Sequence, residues 1–339
     1  MTQALILVGL MFLLIFLGVP ICFAFATVAV TGLSLTGSNP LNMIGQGLFG
    51  GMNSFTILAI PFFVFAGELM NYGGITPRLV RFSTLIIGRM KASLAQVNIV
   101  ASMFFGGITG SAVADTSSIG GMLIPAMIEE GYDADFSVAV TAASSIIGPI
   151  IPPSIVMVVY GSTVGTSIGA MFLGGFVPGI LIGLALMLVV VLMGRKRDFP
   201  RRTEKIGKRE AVKIILDAIF PLGMPIIILG GILSGIFTPT EAGAVSALYS
   251  LVVGAAITNN RIFKEIPRML LKTVKTSASI LFIMGTAMII SRIFAYLGVQ
   301  RGIAQFITNN FSTKFTFLIF VNVLLLFMGM FMEGSATII

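Results

Sequence analysis

No histidine occurs in the sequence, and its one cysteine, Cys22, stands alone in an apolar run. The first absence removes the commonest proton shuttle and transition-metal ligand. The second excludes an internal disulfide, a cysteine metal cluster and iron–sulfur chemistry. Charge is scarce too: Lys, Arg, Asp and Glu make up 10% of the 339 residues, against about 25% in an average soluble domain. Residues 4–35 carry no charge, and neither does the stretch between Asp135 and Arg195. No basic residue precedes the first apolar run, and that run outlasts the hydrophobic region of a signal peptide. The start of the chain therefore reads as a membrane segment.

What fills the sequence is apolar. Hydrophobic residues reach 56% and the mean hydropathy is +1.05, more than one buried core needs, so the excess faces a lipid bilayer. A spanning helix takes about 20 apolar residues. The net charge of +8 does not indicate a nucleic acid partner, because 18 of the 21 Lys and Arg fall in three blocks, 78–91, 195–213 and 261–275, between apolar segments. Short basic loops of this kind mark the cytoplasmic side. With them inside and the N-terminus periplasmic, 56–72 runs inward, 136–160 outward, 168–194 inward, 214–236 outward, 242–257 inward and 277–296 outward. The intervening outer loops, 37–53, 161–167 and 237–240, contain no Lys or Arg. In the third block Ile262, Phe263, Ile266, Met269, Leu270 and Val274 alternate with charges as in an interfacial amphipathic helix.

Residues 94–128 do not fit a simple span. Their centre, GGITGSAVADTSSIGG (106–121), is rich in Gly, Ser and Thr and carries Asp115. Irregular backbone at membrane depth is tolerated only where protein or a watery cavity surrounds it, so the segment reads as a re-entrant hairpin with both ends cytoplasmic. A second interruption, SSIIGPIIPPS (144–154), places Pro149, Pro152 and Pro153 inside the span 136–160. Each proline removes an amide donor and frees a carbonyl one turn back, here around Ser145.

An offset of 224 residues superimposes Tyr72, Gly74, Phe82 and Thr84 on Tyr296, Gly298, Phe306 and Thr308, and 110–112 on 334–336. The first copy runs inward and the second outward, the pattern of an inverted repeat. By this register the second copy extends to about position 384, so the sequence is expected to end within it. The chain divides into scaffold helices (1–53), a first repeat with hairpin 94–128 and broken helix 136–160 (54–165), scaffold helices with a basic loop and an amphipathic arm (166–275), and a second repeat (276–339).

Candidate ion- or substrate-binding residues follow. At the tip, Gly106, Gly107 and Gly110 allow close backbone approach, Thr109 and Ser111 supply hydroxyls, and Asp115 is an ionisable group where one is costly; its structural alternative is to cap the second hairpin helix. At the break, Ser144, Ser145, Gly148, Pro149, Pro152, Pro153 and Ser154 present hard oxygen ligands suited to Na+. The repeat mate of the tip holds Glu333, Gly334 and Ser335. Thr238 or Thr240, with Pro239 and Glu241, reads as a helix start. Glu68 and Arg292, matched by the repeat, read as structural ion pairing or snorkelling.

Together the tip GGITGSAVADTSSIGGMLIPAM, the break GPIIPPS, the element FTPTEAGAV and the run MGMFMEGSATII resemble, in order along the chain, the large membrane subunit of tripartite ATP-independent periplasmic (TRAP) transporters. The resemblance implies an all-α polytopic membrane protein of the bacterial inner membrane, with an elevator-type ion-transporter fold built from two oppositely oriented hairpins. It implies Na+-coupled import of an organic acid, such as a C4-dicarboxylate or sialic acid, handed over by a periplasmic substrate-binding protein, with a small four-helix membrane subunit bracing the scaffold. Carried over, the tip and the broken helix enclose one Na+ with substrate nearby, at Gly110, Ser111, Ser145 and Gly148. Glu333 stands where family members often have Asp. The alternatives are a stand-alone sodium- or proton-coupled anion permease, a channel, or a membrane scaffold. An intramembrane hydrolase is disfavoured: the first repeat offers one carboxylate at depth where an aspartyl enzyme needs two, and a serine enzyme lacks a His or Lys base.

Overall fold

The computed structural model describes residues 2–35, 40–196, 199–200, 206–311, 313–332 and 334–338, and among them every regular element is helical. In chain order the α-helices are α1 (Thr2–Phe16), α2 (Ile21–Leu35), α3 (Pro40–Met52), α4 (Ala59–Tyr72), α5 (Ile75–Ile87), α6 (Ser93–Thr109), α7 (Ala112–Asp115), α8 (Gly121–Glu129), α9 (Ala134–Ser145), α10 (Ile155–Val164), α11 (Ile168–Lys196), α12 (Lys208–Leu233), α13 (Pro239–Ile257), α14 (Ile262–Tyr296), α15 (Val299–Asn310), α16 (Lys314–Gly329) and α17 (Gly334–Ile338). A 3₁₀ turn, Phe55–Leu58, leads into α4, and a π-helical turn, Thr116–Gly120, joins α7 to α8. Five helical segments are long and apolar enough to cross a membrane: Phe55–Tyr72, Ile168–Arg195, Lys208–Leu233, Pro239–Ile257 and Ile262–Tyr296. Along α11 the large side chains Leu173, Val177, Leu181, Leu184 and Leu188 stand exposed. An apolar surface that extensive marks a face covered by lipid or by another membrane protein.

The chain forms two compact units, Met1–Ile57 with Lys275–Ile339, and Leu58–Val274. In the first, Leu7, Val28 and Leu33 of α1 and α2 pack with Ile283, Ile290 and Ile293 of α14. Here α3 meets α14 backbone to backbone: a Cβ built on Gly51 would lie 2.7 Å from the Cα of Gly285. Small residues at such crossings allow the close approach that membrane helices rely on for packing.

In the second unit α4 lies along α13. A Cβ on Gly73 would stand 3.1 Å from Gly254 Cα. The start of α13 is a capping box: Thr238 Oγ1 accepts from the Glu241 amide (3.3 Å), and the Glu241 carboxylate accepts from the Thr238 amide (2.8 Å). That satisfies two orphan amides of the first turn and occupies Glu241 structurally. The first basic block falls on α5 and the turn after it, not in an extended loop.

One expectation is corrected. The amphipathic arm of 261–275 and the span of 277–296 form a single unbroken 35-residue helix, α14. No Gly or Pro lies between Arg268 and Met284 to end it. At about 52 Å, α14 is longer than a bilayer with its headgroups, and the boundary between the two units falls inside it, after Val274.

The two sequence copies share local backbone. α4 passes to α5 through left-handed Gly74 (φ 72°, ψ 28°), and α14 passes to α15 through left-handed Gly298 (φ 70°, ψ 17°). Each is followed by two helices, α5 and α6 or α15 and α16, and then by a short helix at the matched tip, α7 after Gly110 and α17 from Gly334.

Gly51→Leu is expected to destabilise the purified protein by about 3 kcal/mol, since the side chain must displace the α14 backbone. Its neighbour Gly50, with nothing within 4 Å of a built Cβ, should accept leucine within about 1 kcal/mol. Thermal unfolding in detergent separates the two.

Candidate functional site

Around Gly110 two helical arms pack together across a turn, and the capping differs from the expectation. α6 ends where Gly110 turns left-handed (φ 62°, ψ 18°), its amide donating to the Gly106 carbonyl. The second arm starts at Ala112 and runs through the π-helical turn to Glu129. Its N-cap is Ser111, whose Oγ accepts from the Ala114 amide (3.4 Å), so Asp115 is not the cap. It sits one turn further in, fully buried, and neither carboxylate oxygen has a hydrogen-bond partner among the described residues.

The proline segment breaks its span as expected: α9 stops at Ser145 and α10 begins at Ile155. Ser154 organises the restart. Its Oγ donates to the Pro149 carbonyl (2.6 Å) and accepts from the Met157 amide (3.2 Å). The carbonyl of Ser145, expected to be freed, instead accepts from the Gly148 amide in a tight turn (3.0 Å). Within the break the carbonyls of Ile146, Gly148, Ile150, Ile151, Pro152 and Pro153 accept from no amide of a described residue. The peptide bond between Pro152 and Pro153 is cis.

Tip and break are pressed together. A Cβ on Gly106 would lie 2.8 Å from Gly148 Cα, and one on Gly148 would lie 3.3 Å from the carbonyl oxygen of Ser111. A Cβ on Gly110 would overlap the Pro153 carbonyl oxygen and stand 3.0 Å from Ser154 Cα. Gly107 faces the Pro152 carbonyl. Thr109, buried, donates to the Phe105 carbonyl and packs against Gly67 of α4. Residues 106–111 and 144–154 are thus one locus. The end of α6 and the start of α7 bring carbonyl and amide helix termini to it.

A polar network missed from sequence lies beneath. Asn98 Nδ2 donates to Thr141 Oγ1 (2.7 Å), Ser144 Oγ to Asn98 Oδ1 (3.2 Å), and Ser102 Oγ to Ser144 Oγ (3.1 Å). Asp115 faces Ser102 and Ser145, but Ser145 donates to the Thr141 carbonyl (2.8 Å) and Ser102 to Ser144. Both hydroxyl protons are directed elsewhere. An ionised carboxylate buried without a counter-charge costs several kcal/mol, and no described residue supplies one to Asp115. The available signal was polar residues four apart inside apolar helices, Asn98 with Ser102 and Ser137 with Thr141.

Other candidates lie apart. Glu68, buried in α4, pairs with Lys272 of α14 (2.7 Å), while Arg292 is exposed. Gly334 and Ser335 open α17, where Ser335 is buried in the first unit; Glu333 lies outside the described residues.

Apolar helices long enough to cross a membrane, with interrupted helices buried among them in the larger unit, define a multi-pass membrane protein. The chain belongs to the family described as the tripartite ATP-independent periplasmic transporter, DctM component, which it matches over residues 8–339. It is 40% identical over 331 residues to the sialic acid TRAP transporter large permease protein of Vibrio cholerae, covering 96% of this chain and 76% of that protein. To the C4-dicarboxylate large permease protein of Rhodobacter capsulatus it is 33% identical (99% and 80% covered), and to the 2,3-diketo-L-gulonate large permease protein of Escherichia coli 32% (95% and 76%). The family is one of transporter permeases, not enzymes.

Gly106→Val and Gly110→Val should each reduce uptake by the assembled transporter at least about 100-fold with membrane insertion retained, because tip and break can no longer touch. Gly121→Val, with open space around its built Cβ, should keep uptake within about threefold. Initial uptake rates normalised to inserted protein test this.

Proposed function

We propose that this chain is the transport-competent subunit of a Na+-coupled importer of a small organic acid in the bacterial inner membrane. The observation that carries the reading is the buried Asp115 carboxylate, without a hydrogen-bond partner among the described residues, beside the junction of two interrupted helices. Gly110, Ser111, Ser145 and Gly148, the residues assigned to Na+, meet there. A monovalent cation suits such a place: it answers one negative charge and accepts neutral carbonyl and hydroxyl oxygens as ligands. Bound Na+ would neutralise the locus and complete the main-chain oxygens, after which an organic anion can approach the amide ends of the interrupted helices.

The repeated local backbone around Gly74 and Gly298 supports an inverted repeat, and with it an elevator in which the hairpin and broken helix move as one body against a scaffold. Relatives named for sialic acid, C4-dicarboxylate and 2,3-diketo-L-gulonate support a substrate among the small organic acids. The family description fits delivery by a periplasmic substrate-binding protein, with a small four-helix membrane subunit at the scaffold. The charge of 78–91, 195–213 and 261–275 supports a cytoplasmic position for these blocks, and proteolysis of the 195–213 segment is then expected only from that side of the membrane.

The test is uptake into proteoliposomes holding the complete transporter, with its binding protein outside. Uptake of the cognate acid is expected to follow an imposed Na+ gradient and to require the binding protein. Asp115→Ala should reduce it at least about tenfold and weaken the Na+ dependence. Uptake driven by a proton gradient without Na+, or undiminished without the binding protein, would refute the proposal.

A further inference from the structure

Away from the tip, α5, α8 and α12 enclose a cavity of about 970 Å³ that the transport reading does not use. Each helix presents one face to it, spaced as neighbours on a helix are: Arg81, Thr84 and Leu85 from α5, Leu123 and Ala126 from α8, and Glu210, Lys213, Ile214 and Asp217 from α12. The inner wall is apolar, with Leu94 and Leu123 buried. The rim is charged and balanced: Arg81, Arg89 and Lys213 against Glu130, Glu210 and Asp217. Arg81, Lys213, Glu130, Glu210 and Asp217 form no ion pair with any described residue. At these five residues both signs are presented across one opening without an ion pair that cancels them.

We propose that this cavity binds an aminophospholipid of the cytoplasmic leaflet. The inference rests on the topology above, in which 78–91 and 195–213 lie at that membrane surface. Guanidinium groups suit a phosphodiester, and carboxylates accept the N–H donors of a primary ammonium. The apolar wall receives the first part of the acyl chains. Among the described residues the rim sets three carboxylates against three cations, so an anionic headgroup meets repulsion beside attraction, while a zwitterion with N–H donors satisfies both sets. The quaternary ammonium of phosphatidylcholine has no N–H to donate, so the site discriminates by hydrogen bonding.

The experiment is native mass spectrometry of the delipidated, assembled transporter titrated with phosphatidylethanolamine, phosphatidylcholine or phosphatidylglycerol of identical chains. Phosphatidylethanolamine is expected to bind at least about tenfold more tightly than the other two. Arg81→Ala and Asp217→Asn should each remove about tenfold of that preference, with size-exclusion profile and melting temperature reporting that the variants fold. Equal binding of the three lipids, a preference for phosphatidylglycerol, or an unchanged preference in folded variants would overturn the site. Lipid retention is read without transport, so it can fail while Na+-driven uptake stands, and the reverse.

Discussion

The structure turns on backbone meeting backbone. Gly106 against Gly148 and Gly110 against Pro153 and Ser154 are contacts that no side chain can enter, and they are made where two helices have lost their internal hydrogen bonding. Either feature alone would be a liability in a bilayer, because an interrupted helix facing lipid leaves peptide groups without partners. Brought together, each interruption shelters the other. The glycines are needed because the sheltering groups are main-chain atoms, and the prolines are needed because an intact helix would use those carbonyls itself.

The layer below sets the register of that contact. Asn98 bridges α6 to α9 through Thr141 and Ser144, so two membrane-embedded helices are joined by paired polar groups instead of by apolar packing alone. Hydrogen bonds between such helices contribute modestly, about 0.6 kcal/mol each on average, but they specify which residues face one another. Ser102 and Ser145 are drawn into the same network, which is why Asp115, though surrounded by hydroxyls, is left with none of their protons. The carboxylate's isolation follows from how well its neighbours are satisfied.

Much of this was legible in sequence where composition announces it. Three prolines in five residues and a run of Gly, Ser and Thr around one acid can only be interruptions, and both fell where expected. What escaped was whatever depends on partners distant in the chain. Asn98 and Thr141 are 43 residues apart, and nothing local says they meet. The exchange of roles between Ser111 and Asp115 is a contest over a cap four residues wide, decided by the tight turn at Gly110 that places Ser111 first. The continuity of α14 was obscured because the charge pattern changes at Lys275 while the backbone has no reason to stop. Charge pattern reports the environment of a helix, and helix ends are set by caps and breakers.

The second hairpin arm links the two polar regions of the larger unit. At one end it carries Asp115 against the broken helix; its π-helical turn packs Gly120 on Thr141; and further along, Leu123, Ala126 and Glu130 border the cavity against α5 and α12. A close-packed helical arm transmits displacement instead of absorbing it. The position of the tip and the shape of the cavity are therefore not independent: any shift of α7 and α8 that alters the surroundings of Asp115 also moves one wall of the cavity.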